Sequence, residues 1–193
     1  RVKKFVDCRS KDKNRRELFI VEGDSALGSV KLGRDAEFQA IMPIRGKILN
    51  CLKADINTIL KSDIITDLIR VLGCGIDIKS RNNKNLGQFD IEKLNYNKVI
   101  IATDADYDGF QIRTLVATMI YVLCPQLIEQ GYLYIVETPL YEISYKNKKN
   151  NEIYFAYDEA EKNRIIKGKD ISKLNIQRSK GLGENEPEMM WET

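Results

Sequence analysis

The sequence predicts an α/β fold: a mostly parallel sheet flanked by helices, followed by a C-terminal hairpin and a helical tail. Three observations predict it. Leu18-Phe19-Ile20-Val21 and Val99-Ile100-Ile101-Ala102 are short apolar runs rich in Ile and Val, the pattern of buried strands. Stretches with helical spacing alternate with such runs, as crossover connections between parallel strands require. Each run also ends in an acidic turn containing glycine, Glu22-Gly23-Asp24-Ser25-Ala26 and Asp104-Ala105-Asp106-Tyr107-Asp108-Gly109. If the strands are parallel neighbours, both turns emerge at the carboxyl edge of the sheet, where open α/β sheets bind ligands.

The elements follow in order. A strand over 17–21 leads into the Glu22 turn, and Ala26, Val30 and Leu32 predict a helix closing near Gly33, capped by Asp24 or Ser25. Residues 39–44 form a second strand that Pro43 ends or confines to the sheet edge, and the basic loop Arg45-Gly46-Lys47 follows it. Residues 55–72 carry apolar side chains at the spacing of one amphipathic helix, stopped by Gly73-Cys74-Gly75. Polar residues 79–97 predict a loop with a short helix at its end. The third strand carries the Asp block, and a helix follows from Phe110 to Leu123. Tyr132 to Val136 predicts a strand, and residues 140–145 and 152–157 a hairpin. A polar helix near 158–167 and a last strand near Ile176 lead to the glycine-rich stretch Ser179-Lys180-Gly181-Leu182-Gly183-Glu184. The expected organisation is a core with a basic N-terminal arm over 1–145, then hairpin, helix and the start of a tail over 146–193.

Composition narrows the chemistry. The chain has 193 residues, 43% hydrophobic and 31% charged, enough for a sizeable core in a soluble domain. A net charge of +3 does not announce a polyanion partner. The first sixteen residues, however, hold Arg1, Lys3, Lys4, Arg9, Lys11, Lys13, Arg15 and Arg16 against Asp7 and Asp12, an arm that either meets a polyanion or is a solvated surface. There is no histidine, and Cys8, Cys51, Cys74 and Cys124 form no close pair in sequence, which disfavours a zinc site and excludes a Ser-His-Asp triad. No secretory signal or long apolar span is present, so a cytoplasmic protein with reduced thiols is expected. The chain runs from Arg1 to Trp191-Glu192-Thr193, and a fragment of a longer protein is expected.

Glu22, Asp104, Asp106 and Asp108 are the candidate site. Carboxylates crowded at one sheet edge repel one another by on the order of several kcal/mol, so a cation must offset them. A hard divalent ion suits oxygen ligands, and Mg²⁺ uses one or two carboxylates plus phosphate oxygens. In a strand still extended, Asp104 and Asp106 point to one side, and Gly109 allows a sharp turn into the helix. Such an array could hold one or two ions for phosphoryl displacement, with Glu22 as a ligand or a general acid. A capping cluster at a helix start is the structural alternative. A calcium loop counted from Asp104 would need Glu where Leu115 stands. The two basic loops, around Arg45-Gly46-Lys47 and Arg178-Ser179-Lys180, suit phosphate approach, although a basic surface turn has the same signature.

Together the blocks at Glu22, Pro43-Ile44-Arg45-Gly46-Lys47, Asp104-Ala105-Asp106-Tyr107-Asp108-Gly109 and Gln177-Arg178-Ser179-Lys180-Gly181-Leu182-Gly183-Glu184 resemble the Toprim region of bacterial type IIA DNA topoisomerases, in gyrase or topoisomerase IV. The resemblance implies a Rossmann-like Toprim fold and a share in cleaving and rejoining double-stranded DNA. It implies that Glu22 and Asp104 hold a catalytic Mg²⁺, for which Mn²⁺ can substitute. Asp106 with Asp104 would hold a second ion, and Asp108 would support the cluster. Arg45, Lys47, Arg178 and Lys180 would meet DNA, with Asp24 and Arg45 near the drug-binding cleavage pocket. The attacking tyrosine would come from the A subunit of a heterotetramer, and ATP would bind outside this chain, leaving the fragment alone inactive. Tyr107 stands where Val is common in the family, Gln111 where His, Leu27 where Gly and Ser179 where Tyr; none of these removes a metal ligand. Competing readings are a Toprim-type nuclease, a haloacid-dehalogenase-like phosphotransfer domain, which leaves Glu22 unexplained, and a non-catalytic scaffold.

Overall fold

Four parallel strands position the site. β1 (Glu17–Glu22) lies between β2 (Gln39–Ile44) and β3 (Lys98–Ala102), and β4 (Leu133–Val136) completes the order β2-β1-β3-β4. Val21 stands opposite both Pro43 and Ala102, so the strands end almost level and their carboxyl ends form one edge. The computed structural model describes residue 2 and residues 4–78, 86–147 and 152–178, without the side chains of Asp24, Ser25, Ala26 and Ser29. Lys180 and the rest of the glycine-rich stretch after Arg178 lie outside the described residues, as does the expected C-terminal tail.

The central strands are apolar between their charged ends because both faces are covered there. Leu18, Ile20, Met42 and Ile101 pack on one side with α3 (Asp63–Leu72), α4 (Tyr107–Leu123) and α5 (Pro125–Glu129). Phe19, Val21, Ile41 and Ile100 pack on the other with Val30 of α1 (Gly23–Gly33). β2 is an edge strand, as Pro43 requires. Val6 and Ile41 exchange backbone hydrogen bonds of 2.9 and 2.8 Å on its outer side, so the missing N–H of Pro43, two residues on, would have faced outward.

Three local expectations need correction. The helix after Glu22 starts at Gly23, so neither Asp24 nor Ser25 occupies the cap position; Glu22 does, without a side-chain cap bond. The continuous apolar pattern of 55–72 is two helices, α2 (Ile56–Leu60) and α3. Asp55 caps the first by accepting from the Asn57 and Thr58 amides, and Ser62 caps the second by accepting from that of Ile65. The basic arm is not all free surface. The buried Arg16 guanidinium donates to Asp7 at 2.6 Å and to the Cys8 sulfur at 3.3 Å, and lies 4.7 Å from the Tyr96 ring centroid, tying the arm to the core.

The expected hairpin, β5 (Tyr141–Tyr145) and β6 (Ile153–Ala156), is part of a separate antiparallel sheet of order β6-β5-β7, in which β7 (Leu174–Arg178) pairs with β5. Its small core of Tyr141, Ile143, Ala156 and Leu174 is covered by Ile165 and Ile166 of α6 (Glu159–Ile166). Among the described residues no helix is long and apolar enough to cross a membrane.

Candidate metal centre

Across the sheet in the order β2, β1, β3, β4, the carboxyl edge carries Arg45, Glu22, the Asp104–Asp108 block and Glu137, each just past or at the end of its strand. Gly23, with φ +67°, turns the chain out of β1. The Glu22 carboxyl has a pKa raised above the ordinary carboxylate value. Removal from water is the main cause, followed by the charges of Asp104 and Asp106, with a smaller push from Asp108; the Asp104 backbone amide opposes the shift. The fold therefore brings all four predicted carboxylates within electrostatic reach of one another.

Glu22 Oε2 is buried and has no hydrogen-bond partner. A buried, unsatisfied carboxylate oxygen is costly and calls for a ligand. Asp106 differs: it is the N-cap of α4 and accepts from the Gly109 N–H at 2.7 Å. The strand ends at Ala102, so Asp104 and Asp106 do not share one face of an extended strand, and Asp108 already lies in the first turn of α4. Gly109 is also needed for a different reason than a turn. It is buried and helical, and a Cβ there would lie 2.1 Å from the Asp104 carbonyl oxygen. Only glycine lets the first turn of α4 press onto the Asp104 backbone.

Two clefts flank the Asp block. A cavity of about 490 Å³ is walled by Glu22, Asp108, Arg45, Lys47 and Gln111 above an apolar floor that includes Ile112. A smaller one of about 250 Å³ is bordered by Asp104, Asp106, Phe110, Arg113, Glu137 and Asp158. Buried Thr103 Oγ1, also without a partner, lies on its wall. Arg45 and Lys47 thus share a cleft with Glu22 and Asp108. Arg178, at the end of β7, lines neither cleft and adds its charge near Tyr141 and Glu159.

Among the described residues no group of three or more Asp, Glu or Cys is gathered tightly enough to hold a metal ion by itself. The donor set still fits a hard divalent cation of the Mg²⁺ type, which keeps several waters and takes one or two carboxylates together with substrate oxygens. The unpartnered Glu22 oxygen and the mutual repulsion of the four acids are what such an ion would relieve.

Sequence reasoning missed Glu137, Asp158 and Arg113. Glu137 carries the same signal as Glu22, an acid directly after an apolar strand. Asp158 comes from the second sheet, where it caps α6 by accepting from Glu161 N–H at 2.7 Å, and only the tertiary fold brings it here.

A parallel sheet of four strands with this acidic edge defines the class. The Toprim domain profile matches residues 17–138, from β1 to the turn after β4, and the chain belongs to that family. The chain is also similar to the DNA gyrase B protein of Halalkalibacterium halodurans, 48% identical over 191 residues. The corresponding gyrase proteins of Archaeoglobus fulgidus and Thermotoga maritima are each 47% identical, over 190 and 193 residues. Each alignment takes in 98% of this chain but 28% of the relative, so the chain spans little more than a quarter of their length.

Proposed function

We propose that this chain is the metal-binding part of the DNA cleavage–religation site of an ATP-dependent type IIA DNA topoisomerase, working with a tyrosine of the A subunit. The observation that carries the reading is the buried, unpartnered Glu22 oxygen set among Asp104, Asp106 and Asp108. Glu22 and Asp104 would hold the catalytic Mg²⁺ or Mn²⁺, Asp104 and Asp106 a second ion, and Asp108 would add charge. Such an ion, when bound, stabilises the oxygens of an in-line phosphoryl displacement. Arg45 and Lys47 line the cleft that Glu22 and Asp108 also line, and there they would neutralise flanking phosphates of double-stranded DNA. Arg178 and Lys180 would extend that contact. ATP would bind elsewhere in the whole protein, and the four free, buried thiols suit a reducing cytoplasm.

The test is Glu22→Ala in the whole protein assembled with its A subunit. Cleavage and religation should both fall by about a hundredfold or more, as when a transition-state stabiliser is removed. DNA binding should survive, because it rests on many cationic contacts. Binding lost in step with cleavage would mean that Glu22 shapes the DNA surface instead. Metal-dependent nicking by this chain alone would favour a self-sufficient Toprim nuclease.

A further inference from the structure

The first turn of α4 presents two aromatic side chains that the fold does not use. Tyr107 is 74% exposed and Phe110 54% exposed. Three residues apart on a helix, they are neighbours on one face. Single exposed aromatics are ordinary, but these two flank Asp108 in the chain, in the helix turn that the Asp block opens. Phe110 borders the smaller cleft together with Asp104 and Asp106. The Arg113 guanidinium lies 5.2 Å from the centre of its ring and is oriented by Glu137 at 3.7 Å.

The charge of this edge restricts what can rest on the rings. Glu22, Asp104, Asp106, Asp108 and Glu137 repel any phosphate that is not neutralised by a cation. An apolar peptide or acyl chain would strip water from those carboxylates without offering them a partner. The face of a nucleobase is uncharged and planar, and once a base is unstacked from its neighbour, aromatic rings backed by an arginine are the surfaces on which it stacks.

We propose that Tyr107 and Phe110, with Arg113 behind Phe110, contact a base of the bound DNA next to the phosphate that the carboxylates engage. This deepens the DNA reading above and rests on it. The physical need is register. Successive phosphates along a strand are alike to the carboxylate cluster, so a contact to an adjacent base fixes which one is presented. Because every base has a π-face, the contact tolerates many sequences and favours steps that unstack easily, such as pyrimidine–purine steps. Tyr107 and Phe110 are thus positioning residues.

The experiment uses the whole protein assembled with its A subunit at fixed Mg²⁺, and a duplex carrying 2-aminopurine beside the cleavage position. Tyr107→Ala with Phe110→Ala should weaken DNA binding about tenfold, the scale of one lost base–aromatic contact. The slope of log affinity against log salt should stay unchanged, since no phosphate contact is lost, whereas Lys47→Ala should lower it. The 2-aminopurine signal change on binding should be lost, and cleavage should spread over more positions. Tyr107→Phe with Phe110→Tyr should restore all three. Unchanged affinity and an unchanged fluorescence response in the double alanine variant would overturn the inference while leaving the DNA reading intact. A fall in salt slope matching that of Lys47→Ala would overturn it too. If the wild-type assembly does not bind DNA at all, the DNA reading itself fails.

Discussion

Glu22 and Asp106 hold matching places in the sheet. β1 and β3 are adjacent and parallel, each is followed by a helix, and each of these carboxylates stands at the N-cap position of that helix. Asp106 makes the cap, its short side chain accepting from the Gly109 amide at 2.7 Å. Glu22 makes no cap bond and keeps one buried oxygen without a partner, in a setting that raises its pKa. Asp is a preferred capping residue; Glu, one methylene longer, is not. The pair teaches how to tell two uses of an acid in one position. A carboxylate that closes its helix is already employed by the fold, and any cation must share it. One that leaves the cap unmade and keeps an oxygen buried without a partner is held ready for something else.

The strongest way to break this arrangement is at the contact between the first turn of α4 and the Asp104 backbone. Gly109→Ala would place a Cβ 2.1 Å from the Asp104 carbonyl oxygen, against main chain that cannot rotate away. We expect a loss of about 1–3 kcal/mol in urea unfolding, the scale of overpacking. Wild-type stability in that variant would show that the fit is looser than described.

Substitutions at the two caps should then separate. Asp106→Ala removes the cap as well as one of the crowded charges, and should leave the metal-free domain about 1 kcal/mol less stable than Asp106→Asn does. Asp106→Asn keeps a capping side chain and removes one of the crowded charges, so the metal-free domain should be at least as stable as wild type. Glu22→Gln, which has no cap to lose, should stabilise it. Thermal unfolding of the three variants decides the matter; destabilisation by Glu22→Gln as large as that by Asp106→Ala would erase the distinction.

The smallest expected effect is on pH dependence. Folded Glu22 holds its proton more tightly than unfolded Glu22, so above the ordinary carboxylate range the folded state binds more protons, and stability falls as pH rises towards the raised pKa. Melting temperature followed from about pH 4 to about pH 7 should show this slope, screened because the group is only half-buried. Glu22→Gln should flatten it. An identical pH profile in wild type and Glu22→Gln would mean that Glu22 is solvated like a surface acid.

Much of this architecture is legible in the chain. β1 and β3 stand out because strands covered on both faces must be apolar, and the acids at and after their ends interrupt them sharply; β4 is as apolar in sequence although Tyr134 and Ile135 are exposed. The break between α2 and α3 is hidden, since Ile59, Leu60 and Ile64 keep one apolar face continuous while Ser62 quietly caps a new helix. The Asp block reads as extended strand because alternation alone cannot show that β3 stops at Ala102 and that Asp106 already belongs to a helix start. Asp158 is beyond reach of sequence reasoning: its place beside Asp104 and Asp106 depends on how the second sheet meets the first.

The central claim, that Glu22 and its neighbours are arranged for a divalent cation, is tested most directly by counting the ion. Mn²⁺ remaining free in solution can be followed by electron paramagnetic resonance as protein is added, with and without duplex DNA. Binding by a few carboxylates should be weak alone, in roughly the millimolar range, and tighter when DNA phosphate completes the ligand set. Glu22→Gln and Asp104→Asn should each abolish the tightening. Equal Mn²⁺ uptake by wild type and both variants, in the presence of DNA, would contradict the account.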